Sequence, residues 1–175
     1  MRHTRVTLLE YLNNNNILYK EHSHRPLFTV KDSQKMRGII EGGHTKNLFL
    51  KDKKKKFFLI SCMEDKKIDL KKLRKPLNTN SLSFASDINL DEVLGLKPGA
   101  VSPFGLINDK NKIVNFFIDK DILEEISVNF HPLVNNFTIN LSIDNFLNYI
   151  KIIKVNLNVL NLALYRLETQ DGKFK

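Results

Sequence analysis

Gly42-Gly43-His44-Thr45-Lys46-Asn47-Leu48-Phe49-Leu50-Lys51 is the stretch whose reading decides the fold. The glycine pair lets the backbone take positive φ or lie close against a neighbour. His44, Thr45 and Lys46 follow, each with a side chain that can donate a hydrogen bond. Leu48-Phe49-Leu50 then reads as a buried strand. A polar loop feeding a rigid strand is a good support for a site. Two readings stand at this point. Lys46 belongs to a site, or the segment is a turn before a core strand and Lys46 is solvated.

On the C-terminal side, Asp52-Lys53-Lys54-Lys55-Lys56 separates Leu48–Leu50 from a second apolar run, Phe57–Ile60. That pattern predicts a hairpin with a basic tip, which is either a solvated charge run or a phosphate contact. Cys62 closes the second run and is the single cysteine of the chain. No internal disulfide can form, which suits a reducing cytosol, and a thiol on a buried strand reads as structural rather than catalytic. Asp65 to Lys75 has a helical pattern stopped by Pro76, and Lys66, Lys67, Lys71, Lys72, Arg74 and Lys75 make it a second basic patch.

On the N-terminal side, Thr4 predicts the cap of a helix carrying Val6, Leu8, Leu9 and Leu12 on one face, ended by Asn13–Asn16. Ile17–Tyr19 reads as a short strand and His22–Pro26 as a polar loop; His22 and His24 lack companions with zinc spacing, so no metal is expected. Thr29 predicts a second helix to about Arg37, broken by Gly38. Further along come a brief strand at Leu82–Ala85, a helix over Leu90–Leu94 capped by Asn89, and a strand at Ile113–Ile118. Asp119 is read as the cap of a short helix through Glu125. Phe137–Leu141 alternates like a half-buried strand, and Ser142 caps a helix from Ile143 to about Ile152. Val155–Leu164 reads as a last strand and Glu168–Lys175 as a frayed tail.

Two further loops can carry chemistry. In Leu96–Leu106, Pro98 presets φ, Gly99 suits a type II turn, and Pro103 stiffens the exit. Such a loop is either an ordinary turn or a rigid set of N–H groups that could face an oxyanion or ligand carbonyl. His131 stands at the end of an apolar strand before Pro132, where it either reaches a cleft or bonds within a rim.

The 175 residues suit one domain, and 28 Lys and Arg against 19 Asp and Glu leave a net charge of +9. That balance points to a polyanionic partner, nucleic acid before membrane, or to a lysine-rich solubilising surface. No signal peptide or membrane span is visible, so a soluble cytoplasmic protein is expected. Strands that meet through hairpins while helices interleave argue for an α/β chain in the mixed α+β sense, with a mixed sheet rather than a purely parallel one.

Four stretches together resemble one family: His24-x-Pro26-x-Phe28-Thr29-Val30, Gly42 to Lys51, Pro98-Gly99-x-x-x-Pro103-Phe104-Gly105-Leu106, and Phe130-His131-Pro132-Leu133. Their order and spacing are similar to those of the YbaK-like prolyl-tRNA editing domains, above all the freestanding branch that removes alanine from mischarged prolyl tRNA. The resemblance covers about residues 4–152. It implies a barrel-like mixed sheet flanked by helices, and hydrolysis of the aminoacyl ester on a tRNA without a cofactor. Lys46 matches the lysine required in that superfamily, Gly99–Pro103 the loop lining the aminoacyl pocket, and His131 the histidine beside the small-side-chain pocket. Gly43, Thr45, Gly99, Ala100, Val101, Ser102 and Pro103 are then pocket residues, with Gly42-Gly43 giving clearance beside the ester. Lys53, Lys54, Lys55, Lys71 and Lys72 are candidate tRNA contacts. The expected division is an editing domain over 1–154 and a C-terminal extension over 155–175. The expected partners are mischarged tRNA(Pro), and with it prolyl-tRNA synthetase or an elongation factor. The alternatives are a deacylase of Cys- or Ser-type tRNA, or a non-catalytic domain that binds tRNA or a synthetase. Phe137 departs from the family pattern, which has alanine there.

Overall fold

Every residue from Phe57 to Cys62 is buried, which a strand achieves only when both faces of its sheet are covered. The computed structural model, which describes residues 1–27, 31, 34 and 40–168, shows how. Strand β2 (Gly43–Lys51) and strand β3 (Phe57–Met63) form the expected antiparallel hairpin. The carboxylate of Asp52 closes its tip by accepting the Lys54 and Lys56 amides at 2.8 and 2.9 Å. Strand β5 (Val114–Asp119) lies parallel to β3, with Leu59 opposite Phe116 and Ile60 opposite Phe117.

The other elements are helix α1 (Arg5–Asn14), β1 (Lys20–Ser23), α2 (Leu70–Leu73), β4 (Ser83–Phe84), α3 (Asp87–Leu94), β6 (Ser127–Phe130), β7 (Phe137–Ser142), α4 (Ile143–Ile152), β8 (Leu157–Asn161) and β9 (Arg166–Glu168). Short 3-10 turns span Pro103–Ile107 and Lys120–Glu124. The described strands join in the order β1-β7-β6-β2-β3-β5-β8-β9, with β4 beside β2. The sheet is mixed, as expected: β2–β6, β3–β5 and β5–β8 are parallel and the remaining pairs antiparallel.

Alternation along the strands feeds two cores. Phe49, Phe57, Leu59, Phe116 and Ile118 pack with Leu8 and Leu12 of α1, Leu90 and Leu94 of α3, and Phe146 and Ile150 of α4. Leu50, Phe58, Ile60, Cys62 and Phe117 point the other way, onto Leu73, Leu77, Leu160 and Leu162. Burying a side chain of this size contributes about 1.5–3 kcal/mol, so the two layers hold the sheet rigid from both sides.

Several local expectations are corrected. Ile17–Tyr19 is not a strand. Pairing with β7 selects Lys20–Ser23 instead, so His22 sits in a strand and not a loop. Asp65–Lys75 holds only the single turn Leu70–Leu73, capped by Asp69, where Leu73 is buried in the second core and Leu70 packs against it. Helix α3 starts earlier than expected: Ser86, not Asn89, is its cap and accepts the Asn89 amide. Asp119 makes no cap bond. The last strand expected within 155–164 does form, as β8 against β5, and β9 adds a further strand against β8. All but residues 31 and 34 of the helix expected over 29–37, and the tail beyond 168, lie outside the described residues.

Candidate functional site

The sheet narrows to a seam where β2 meets β6. Only Gly43 with Val128 and His44 with Asn129 are paired there; β2 runs on to Lys51 while β6 stops at Phe130. Asparagine side chains hold the seam. Asn129 Nδ2 donates to the carbonyls of Glu41 and Gly43 at 2.9 and 3.3 Å, and Asn140 Nδ2 to Glu41 and to Asn129 Oδ1 at 2.8 and 3.0 Å. Gly42 has φ +89°, and a Cβ there would lie 2.7 Å from the Ser127 carbonyl oxygen. The clearance at Gly42 is therefore required by β6. At Gly43 a Cβ would meet the Glu125 side chain at 2.8 Å.

Just past the seam, the three polar side chains of the opening stretch find separate partners. His44 Nε2 bonds the Ile40 carbonyl at 3.0 Å, so this nitrogen carries the proton. Thr45 Oγ1 donates to the Asn129 carbonyl at 2.8 Å and bridges β2 to β6 where their backbones part. Lys46 stands opposite Cys62 of β3, and its Nζ donates to the Lys66 carbonyl. Its ammonium is thus docked on protein, not free in solvent. Burial pushes the Cys62 thiol up to about 12, overriding the nearby Lys46 and Lys66 charges, so it is no nucleophile at neutral pH.

His131 follows β6 directly, two residues past Asn129, as Lys46 lies two residues past His44 on the parallel strand β2. Its Nδ1 lies 2.8 Å from the Phe137 carbonyl and must donate to it. Burial is the largest influence on the imidazole and lowers its pKa; the bond to Phe137 opposes this and His24 adds to it. The neutral ring therefore has its proton on Nδ1, leaving Nε2 as an acceptor. His24 lies beside it, ring centres 6.0 Å apart, and is tied to Thr138 Oγ1 at 2.8 Å. The bulk of Phe137 is turned under Arg5, whose guanidinium lies 3.7 Å from the ring centre and is held by Glu21.

The loop at 99–103 is brought to the same end of β6. Phe104 packs edge-on against Phe130 at 6.1 Å, and its carbonyl accepts the buried Tyr149 hydroxyl at 2.9 Å. Gly99 has the positive φ expected of it, +85°. The Ala100 amide closes the turn on the Lys97 carbonyl at 3.0 Å. Ser102 is fully buried, and its hydroxyl accepts the Phe104 amide at 3.2 Å. Among the described residues, the amides of Val101 and Ser102 have no protein acceptor.

The structure does not bring the candidate phosphate contacts to this place. Lys53, Lys54 and Lys55 are exposed at the hairpin tip, seven to nine residues beyond Lys46 along the chain, and a strand advances about 3.3 Å per residue. Lys71 and Lys72 are exposed on α2, where Lys72 Nζ lies 5.6 Å over the Tyr165 ring. Lys66 is removed from the basic patch altogether, because it is paired with Asp119 and Asp121 at 2.6 and 2.5 Å. Nothing short-range in the sequence marks that triad or the Asn129–Asn140 pair; a buried Asp at the end of an apolar strand was the one signal available. A separate cleft of about 380 Å³ beside Gly42 and Gly43 is lined by Glu41, Asp65 and Glu125, and includes neither Lys46 nor His131. Among the described residues no helix is long and apolar enough to cross a membrane.

Comparison with known proteins gives the family. Residues 24–149 match the family model of the aminoacyl-tRNA editing domain. The chain is similar to the prolyl-tRNA editing protein ProX of Acetoanaerobium sticklandii, with 38% identity over 136 residues, 77% of this chain and 81% of that one. It is similar also to the prolyl-tRNA synthetase associated domain-containing protein 1 of Bos taurus, 38% identical over 133 residues, 73% and 77% of the two chains. A crystal structure described as a candidate trans-editing enzyme for prolyl tRNA synthetase superimposes with a TM-score of 0.68 over 90% of this chain and 94% of that one, at 19% identity, which speaks for the fold alone. The chain belongs to the aminoacyl-tRNA editing domain family, and its reaction class is hydrolysis of an aminoacyl ester on tRNA.

Proposed function

We propose that this chain clears mischarged tRNA(Pro), with alanine as the amino acid removed. The observation that carries the proposal is the match of residues 24–149 to the aminoacyl-tRNA editing domain, a span that holds Lys46, His131 and the stiff loop at 99–103. The names of the relatives, one a prolyl-tRNA editing protein, support the choice of tRNA. Physical need supports the choice of amino acid. A synthetase pocket that fits proline gains only about 1–3 kcal/mol per methylene of difference, so it cannot reject the smaller alanine by binding alone. A second site that admits alanine and excludes proline by its walls completes the selection. Prolyl-tRNA synthetase or an elongation factor is the source of the mischarged tRNA.

The ester is already activated, so no nucleophilic side chain is required, and Cys62 is unsuited to that part. The amides of Val101 and Ser102 polarise the ester carbonyl. A water attacks, helped by the vicinal ribose hydroxyl. Lys46 holds the terminal ribose or phosphate as a point charge. His131 shapes the pocket wall, and its Nε2 accepts a proton of the attacking water or orders it. Lys53–Lys55, Lys71 and Lys72 give affinity for acceptor-stem phosphates without reading sequence.

The test is a deacylation panel of Ala-, Cys-, Ser- and Pro-tRNA(Pro) with the purified protein. Fast release of alanine with Pro-tRNA(Pro) intact is expected. Preference for cysteine or serine overturns the substrate, and a gel shift without any ester cleavage overturns catalysis in favour of a binding domain.

A further inference from the structure

Asp119 is fully buried at the end of β5 and has no part in the chemistry outlined above. Its carboxylate lies 2.6 Å from Lys66 Nζ. Lys66 Nζ reaches Asp121 as well, at 2.5 Å. Burial opposes the charged state of both Asp119 and Lys66. At Lys66 the two carboxylates outweigh it, so the ammonium is held charged; at Asp119 burial prevails and raises the carboxyl. A buried ion pair of this kind is a poor source of net stability, because desolvation offsets attraction, but it fixes position well.

What it fixes is the main chain of Lys66, and the carbonyl of that residue accepts Lys46 Nζ. The same segment is tied to β2 and β3 by the Glu64 amide on the His44 carbonyl at 3.0 Å and the Lys66 amide on the Met63 carbonyl at 3.2 Å. We infer that Asp119 is a positioning residue for Lys46: it holds the Lys66 side chain, and the Lys66 carbonyl in turn sets where the Lys46 ammonium rests. Asp119 also pairs in register with Leu160 of β8, so the C-terminal strands flank the residue that supports Lys46. The inference rests on the proposed role of Lys46 at the ester.

The experiment is a double-mutant cycle on single-turnover deacylation with Asp119→Asn, Lys46→Ala and the pair. Asp119→Asn is expected to slow the wild-type background about tenfold, within the roughly 100-fold that misplacing a catalytic contact can cost, and to change the Lys46→Ala background by less than about twofold, since coupled residues are not additive. Equal losses in both backgrounds, or no loss in either, overturn the inference. A second readout separates it from the functional reading. An ammonium docked on a carbonyl exchanges its protons slowly, so the 15Nζ signal of Lys46 should exchange faster in Asp119→Asn; an unchanged signal overturns the positioning role whatever the rates. If Lys46→Ala leaves turnover intact while the signal responds, the reading of Lys46 fails and the positioning contact stands. Asp121→Asn, at a half-exposed carboxylate, covers the case in which Asp119→Asn does not fold. The same dependence on Lys46 is then expected at about threefold, and a loss indifferent to Lys46, or no loss, overturns it.

Discussion

Replacing Lys46 with alanine removes the ammonium that docks on the Lys66 carbonyl, and the structure sets the size of the effect. The side chain is half-buried and bonded to the Lys66 carbonyl. A hydrogen bond that a charged group makes to substrate is worth about 1.5–3 kcal/mol. With tenfold in rate per roughly 1.4 kcal/mol, Lys46→Ala should lower kcat/KM on Ala-tRNA(Pro) by about 10- to 150-fold. The cost to folding is smaller. Losing the bond to Lys66 removes about 1 kcal/mol, which lowers the melting temperature by about 2–4 °C for a chain of this length. The Cys62 pairing and the β2–β3 ladder do not depend on the side chain. Release of labelled alanine, measured at subsaturating substrate on protein shown to be folded by its melting curve, decides the matter. A kcat/KM within about twofold of wild type, with the small melting shift present, would refute the role and return Lys46 to a structural bond.

Further outcomes follow from other parts of the site. Burial lowers the His131 pKa below its ordinary 6.5, so turnover should be level above that value and fall as pH drops through the lowered one. His131→Asn should lose this limb of the pH–rate profile, and a wild-type acid limb that His131→Asn retains unchanged would remove His131 from the chemistry. The unfolded chain protonates this group more readily than the native one. The native state should therefore lose stability as pH falls below 6.5 and the loss should level off beneath the native pKa, as urea titrations across pH can check. Charge reversal at Lys71 and Lys72 should weaken tRNA binding and flatten its dependence on salt, whereas an unaltered slope in filter binding makes that patch a solvated surface. Gly42→Ala should cost about 2–4 kcal/mol in urea unfolding, since positive φ and contact with the Ser127 carbonyl both penalise a Cβ; a loss under about 0.5 kcal/mol contradicts the account of the seam.

Much was legible in the chain because it depends on neighbours along it. The β2–β3 hairpin follows from apolar runs broken by Asp52–Lys56, the turn at Gly99 from Pro98-Gly99, the α1 and α4 caps from Thr4 and Ser142, and the buried thiol from its apolar run. The motifs around Lys46, Gly99 and His131 pointed to the family that the comparison shows. What failed locally failed where pairing decides: β1 formed at Lys20–Ser23 because β7 selects that register, and Ser86 displaced Asn89 as a cap. The seam between β2 and β6, the docking of Lys46 on the Lys66 carbonyl, the Asp119–Lys66 pair and the joining of 155–168 to the sheet came only from the tertiary structure. Each links residues far apart in the chain. Charge and hydropathy report what one residue prefers, and they carry no information on which distant carboxylate or carbonyl will stand within 3 Å of it.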